Sequence, residues 1–190
     1  MPDTQTPSTV KYLVPKPGQA MKVARFAIDA ARNGGTRDTF ERAGDAQRAD
    51  IIRLLNGALA TELVGVLRYK RHHFTAQGLA SPTMAAGFLV RANEKSGHAD
   101  RIAQRIVQLG GKPDFSPEAL AERSHAAYDD SADRNAMIRA NLVAERIAIV
   151  CYSQMITLVG DSDPTTRRLL EEVLGDEPGH AAELGDWIGD

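Results

Sequence analysis

The chain has 190 residues, 43% of them hydrophobic, and 23 basic against 25 acidic side chains give a net charge of −2. That length supports one substantial core rather than two, and the near-neutral balance argues against a strongly basic surface built to hold nucleic acid. The single cysteine, Cys151 in the helix-like run IAIVCYSQMI, excludes an internal disulfide and reads as a buried, reduced thiol. The start, MPDTQTPSTV, lacks the basic and apolar regions of a secretion signal, and no apolar run reaches the roughly 20 residues of a membrane span. A soluble, cytoplasmic protein without membrane contact is therefore expected.

Residues 1–44 hold four of the nine prolines and read as an N-terminal extension, with one short helical candidate at 19–32 closed by Gly34-Gly35. Seven Lys or Arg against four Asp or Glu in this stretch admit contact with nucleic acid, although such a mild excess more often marks a solvated segment. Residues 45–190 read as one all-α domain with four long helices. The first runs from about Asp45 to Gln77. The second starts at Ser81-Pro82, a cap followed by a proline at the first helical position, and stops at Gly110-Gly111. The third spans about Ser131–Val159, and the fourth runs from Asp163-Pro164 to about Trp187. No alternating strand pattern is present. Short links make each pair an antiparallel hairpin, while residues 112–130, with a short helical stretch SPEALAERS, are long enough to cross the bundle. The predicted fold is a four-helix bundle, two antiparallel hairpins joined by a long crossover.

The two hairpins repeat each other. TELVGVLRY (61–69) matches AERIAIVCY (144–152), pairing Glu62 with Glu145 and Tyr69 with Tyr152; His98 follows Glu62 by 36 residues and His180 follows Glu145 by 35. At about 1.5 Å of rise per residue, Glu62, His98, Glu145 and His180 all fall at mid-bundle height. At about 100° per residue, Glu177 lies about 60° from His180, inside the apolar stripe of Leu170, Val173 and Leu184, and Lys95 holds the same place relative to His98. Glu94 and Asp176 both fall at about −40°, off their stripes. Three inward glutamates and two histidines at one level are costly to bury unless paired or metal-bound, and the arrangement matches the known pattern of di-iron carboxylate bundles.

On TELVGVLRY, HADRIAQRIVQLGG, LVAERIAIVCY and the closing E-x-x-H of EPGH, residues 45–188 resemble bacterioferritin and its ferritin-like relatives. The resemblance implies a ferroxidase centre with Glu62, His98, Glu145, Glu177 and His180 as ligands and Tyr69 beside it. Such a centre binds two ferrous ions and oxidises them with dioxygen or peroxide, the mineral collecting inside a shell of subunits.

Lys95 stands where that family has a bridging glutamate, so its ammonium competes with a cation. The expectation is one weakly held metal or none, with Lys95 bonded to Glu62 or Glu177. Glu94 enters the centre only if its helix rotates or its side chain swings round. Pro178-Gly179, between Glu177 and His180, threatens a kink and the register of His180. The position of the haem-ligating methionine is Ser96, so no haem is expected. Carboxylate and imidazole ligands suit manganese or zinc as well as iron.

Elsewhere, Tyr69 and Tyr152 read as hydrogen-bond donors to the buried carboxylates, His72 and His73 as partners of a helix C-terminal dipole, and His125 as a surface residue. Val64, Leu67 and Leu89, on outer faces, hint at a homo-oligomer. The leading functional reading is a ferritin-like iron-binding protein with ferroxidase or iron-storage activity. The competing one is a metal-free or single-metal bundle with a structural or stress-protective role that binds DNA through residues 1–44.

Overall fold

The computed structural model describes residues 37–79 and 81–189. Five helices follow in order: α1 (Arg37–Gly78), α2 (Pro82–Gln108), the single-turn α3 (Leu120–Arg123), α4 (Arg134–Val159) and α5 (Pro164–Gly189). There is no strand among the described residues. The bundle lies within the compact unit that begins at Gln47. The short helix expected at 19–32 lies outside the described residues.

Helix boundaries follow local chemistry. Asp133 caps α4 by accepting the Ala136 amide at 2.9 Å, and Asp163 caps α5 by accepting the Thr166 amide at 3.0 Å, with Pro164 at the first helical position. Arg105 of α2 clamps that second cap, its Nη2 donating to both Asp163 oxygens at 2.8 Å and its Nε to Thr166 Oγ1 at 2.8 Å. Positive φ angles at Gly110 and Gly160, 78° and 53°, mark the ends of α2 and α4, where a side chain would be strained. Three expectations need correction. α1 begins at Arg37 rather than Asp45, Ser81 makes no side-chain cap bond, and the helical stretch of the crossover shrinks to four residues.

Two apolar clusters show how the helices run. One gathers Leu55 and Leu59 of α1, Ile102 and Ile106 of α2, Tyr152 and Met155 of α4, and Leu170 and Val173 of α5. The other gathers Tyr69, Phe88, Met137, Ile138 and Leu184. α1 and α5 pass from the first cluster to the second, whereas α2 and α4 pass from the second to the first. Each hairpin is thus antiparallel, and residues 109–133 return the chain along the bundle from one cluster to the other. Each buried Leu, Ile or Phe contributes about 1.5–3 kcal/mol. Between the clusters all four helices carry polar residues at one level.

The crossover is anchored rather than loose. Asn56 Oδ1 accepts the Asp114 amide at 2.8 Å. His125, expected on the surface, is partly buried: its Nδ1 lies 2.9 Å from Thr61 Oγ1, its amide donates to the same oxygen, and its ring covers Gly57. His72 and His73 do not act on a helix dipole. His72 is fully buried, its Nδ1 accepting from Asn141 Nδ2 at 2.9 Å and its Nε2 lying 3.2 Å from Asp129, while Arg68 Nε donates to Asn141 Oδ1 at 2.8 Å. His73 Nδ1 donates to the Ala85 carbonyl at 2.7 Å. Val64 is buried, unlike Leu67 and Leu89. α4 is long and apolar enough to cross a membrane by those measures alone, contrary to the absence of such a run expected from the sequence. That character belongs to a bundle helix: Met137, Ile138 and Tyr152 line the core, and Glu145 lies buried at its middle.

Candidate metal centre

Glu62 from α1, Lys95 and His98 from α2, Glu145 from α4, and Glu177 and His180 from α5 meet between the two apolar clusters, each almost completely buried. Every sequence-predicted member of the constellation is present except Glu94, which stays outside at the rim. Pro178 lies on the exposed face of α5, inside a helix that continues through it, and His180 is buried at the centre.

Lys95 dominates the geometry. Its stem runs beside Gly65, and its Nζ donates to Glu177 Oε2 at 2.6 Å and Glu145 Oε2 at 2.8 Å, with Glu62 Oε2 at 3.8 Å. The expected bond to Glu177 is there. The stronger second partner is Glu145, not Glu62. Burial disfavours the ammonium, yet the three carboxylates together raise its pKa well above the usual lysine range. Burial is the largest influence on Glu62 and Glu145 and works against their ionised forms, but the Lys95 charge together with the hydrogen bonds each carboxylate receives exceeds it, and both pKa values are lowered. Glu177 is pushed up to about 7, chiefly by burial and by the facing Glu145 carboxylate.

The surrounding supports are crossed between hairpins. Tyr69 of the first hairpin donates to Glu145 of the second, and Tyr152 of the second donates to Glu62 Oε1 of the first at 2.6 Å. Burial and the adjacent carboxylate hold both phenols neutral, far above their ordinary range. His98 Nε2 lies 3.1 Å from Asp176 Oδ2, and His180 Nε2 lies 3.2 Å from Glu94 Oε2, which is itself held by Arg91 Nη1 at 2.7 Å. An ionised carboxylate only accepts, so each Nε2 carries a proton, and in the neutral ring each Nδ1 turns a lone pair to the centre. Asp176 is the functional residue the sequence reading passed over. Its signal was present: it shares the angular offset of Glu94 within the repeat.

Whether a cation fits is answered by the atoms left over. Glu62 Oε2, His98 Nδ1, Glu177 Oε1 and His180 Nδ1 are buried without a hydrogen-bond partner among the described residues. Buried polar atoms in this condition cost about 1–3 kcal/mol each, and lone pairs converging on one point are what a cation satisfies. Two groups have suitable spacing, Glu62 with His98 and Glu177, and Glu145 with Glu177 and His180. In the second group the Lys95 ammonium already bonds the carboxylates that a cation would need. The class defined by fold and site is a helical bundle with a buried carboxylate–histidine cluster of metal-ligand spacing.

Comparison with known proteins agrees. The family model for the ferritin-like domain matches residues 52–190, and the chain belongs to that family. A bacterioferritin from Desulfovibrio desulfuricans is 28% identical over 138 residues, 70% of this chain and 72% of its own length. A nutrient stress-induced DNA-binding protein from Synechococcus is 34% identical over 124 residues, 63% of this chain and 70% of its own. A dodecameric thioferritin, the bacterioferritin-related protein from Bacteroides fragilis, superposes with a TM-score of 0.71 at 28% identity, over 75% of this chain and 86% of that one.

Proposed function

We propose that this ferritin-like protein binds iron(II) as its substrate inside each subunit and sequesters it, rather than oxidising it in pairs. The observation that carries the reading is the converging set of buried, unpartnered ligand atoms from Glu62, His98 and Glu177 at mid-bundle. Reducing dioxygen to hydrogen peroxide takes two electrons and one iron(II) supplies one, so that two-electron reduction within a subunit needs two irons side by side. Lys95 stands against the second. Tyr69 is on this reading a positioning residue that orients Glu145. Manganese and zinc share the ligand preference and compete for the centre. Anaerobic loading with iron(II), elemental analysis, and then exposure to air test the proposal. The expected result is iron retained by the wild type, lost in Glu62→Gln, and oxidised slowly; no more iron than that variant retains would refute it.

The subunits are proposed to assemble as a homo-oligomeric shell. Leu67 and Phe74 on α1 and Val143 and Val150 on α4 are exposed apolar side chains at heptad spacing, and the thioferritin relative is a dodecamer. Equilibrium sedimentation checks this, and a monomer at micromolar concentration would exclude it. A cytoplasmic location goes with the free, buried Cys151. A second reading, DNA binding by residues 1–44, is favoured by the DNA-binding relative from Synechococcus and by the basic excess of that segment. A mobility shift that survives deletion of residues 1–44 would remove the segment from that role.

A further inference from the structure

The two ligand groups share Glu177 and pair Glu62 and His98 with their repeat counterparts Glu145 and His180, but they differ in what they lack. In one, Glu62 Oε2, His98 Nδ1 and Glu177 Oε1 are all unpartnered, and His98 Nδ1 lies 3.4 Å from the first and 3.6 Å from the second. Ligand atoms about 2.0–2.1 Å from a tetrahedral ion sit about 3.4 Å apart, so this spacing needs little adjustment. In the other group, Glu145 Oε2 and Glu177 Oε2 are both bonded to the Lys95 ammonium, and only His180 Nδ1 is left over, 3.7 Å from Glu177 Oε2. Glu177 faces both ways, one oxygen to each half.

The charge agrees. With all three carboxylates ionised, as a bound cation requires, they and the one ammonium leave −2 within a buried polar layer flanked by apolar clusters. One divalent cation brings that to zero; two would overshoot by as much as the bare set undershoots. We propose that the centre takes a single divalent cation of the iron, cobalt or zinc class on Glu62, His98 and Glu177, and that Lys95 serves as a permanent, covalently tethered cation in the other half. The inference rests on the reading of the bundle as a metal-binding centre, and adds to it the stoichiometry and the half that binds.

Anaerobic titration of the full-length protein with cobalt(II), followed by calorimetry and by visible ligand-field absorption, tests it without any iron chemistry. The expected stoichiometry is one cobalt per chain. The mirror-related substitutions His98→Gln and His180→Gln separate the halves. The first should weaken binding by more than the roughly 10–100-fold that loss of a mere supporting partner costs, and the second should stay within about tenfold of wild type. Lys95→Glu should raise the stoichiometry to two, with circular dichroism confirming that each variant is folded. Two cobalt ions per wild-type chain, none at all, or equal loss in the two histidine variants would each overturn the assignment. One tight cobalt together with failure to retain iron would overturn the iron-binding function and leave the single-cation assignment standing.

Discussion

Replacing Lys95 with methionine keeps the stem beside Gly65 and deletes only the ammonium, leaving Glu62, Glu145 and Glu177 facing one another in the core. At the observed separations of 2.6, 2.8 and 3.8 Å, unit charges attract by about 4–6 kcal/mol each at an effective dielectric of about 20. Desolvation of the ammonium offsets most of that. Removing one partner of a buried ion pair costs about 3–5 kcal/mol net, which for a subunit of this size lowers Tm by about 10 °C. The loss should depend on pH. Glu177 is raised from the usual 4.5 to about 7, so the folded state holds a proton that the unfolded state has released, and stability falls as pH rises across that interval. In Lys95→Met that proton partly replaces the ammonium, and loss of the lysine pushes Glu177 further up, so the variant should weaken as pH rises from 7, with the comparison made at about pH 8. Circular dichroism melts in chelator read the effect, and saturating cobalt should restore about 3 kcal/mol at a hundred times its Kd. A Tm within about 3 °C of wild type in chelator at that pH would refute the claim that Lys95 is the counter-ion of the centre.

Gly87→Ala should destabilise by about 1–3 kcal/mol, because its Cβ would come 2.5 Å from Trp187 Cη2, a ring already seated against Phe88. Gly97→Ala, on an exposed helical position with nothing within 4 Å, should stabilise by about 0.5–1 kcal/mol; paired chemical denaturation checks both, and equal signs would contradict the packing. Asn141→Leu strands Arg68 and His72 in the interior and should cost about 2–4 kcal/mol in the same assay, with a loss below about 1 kcal/mol telling against the network. Asp163→Ala removes the cap of α5 and the partner of Arg105, costing about 1–2 kcal/mol at neutral pH. Burial works to raise the Asp163 pKa, but Thr166 and Arg105 overcome it and hold it below 3.8, so its contribution is lost as pH falls through that lowered value. The gap between wild type and variant should close in acid, and a gap unchanged by acid would count against the linkage.

Periodicity and spacing made the bundle and the centre legible because both are properties of single helices. Height along α1 and α2 follows from residue count, and the choice of Lys95 over Glu94 as the inward residue follows from a 100° step. What stayed hidden depends on a second helix. Asp176 and Glu94 fall off their stripes, Glu94 being expected at the centre only by a rotation or swing, but at that angle each meets the outer nitrogen of a histidine on the opposite hairpin. His72 was assigned by its closeness to a helix end, whereas Asn141 on α4 and Asp129 before it decide its role. Val64 and His125 were misplaced similarly, one by an inter-helix packing angle and the other by the docking of the crossover on Gly57. The threat from Pro178 failed because the proline faces water.

The crossed supports around the centre, Tyr69 to Glu145 and Tyr152 to Glu62, Asp176 to His98 and Glu94 to His180, form the pattern of an isologous interface, in which residue i of one half touches j of the other and j touches i. A symmetric pair of separate hairpins would satisfy the same contacts. In such a pair every residue is present twice, and a lysine at the position of Lys95 would also stand at that of Glu177, setting two ammonium groups face to face with two carboxylates in place of three. The asymmetric centre is therefore open only to a chain in which the two hairpins are encoded separately and free to diverge.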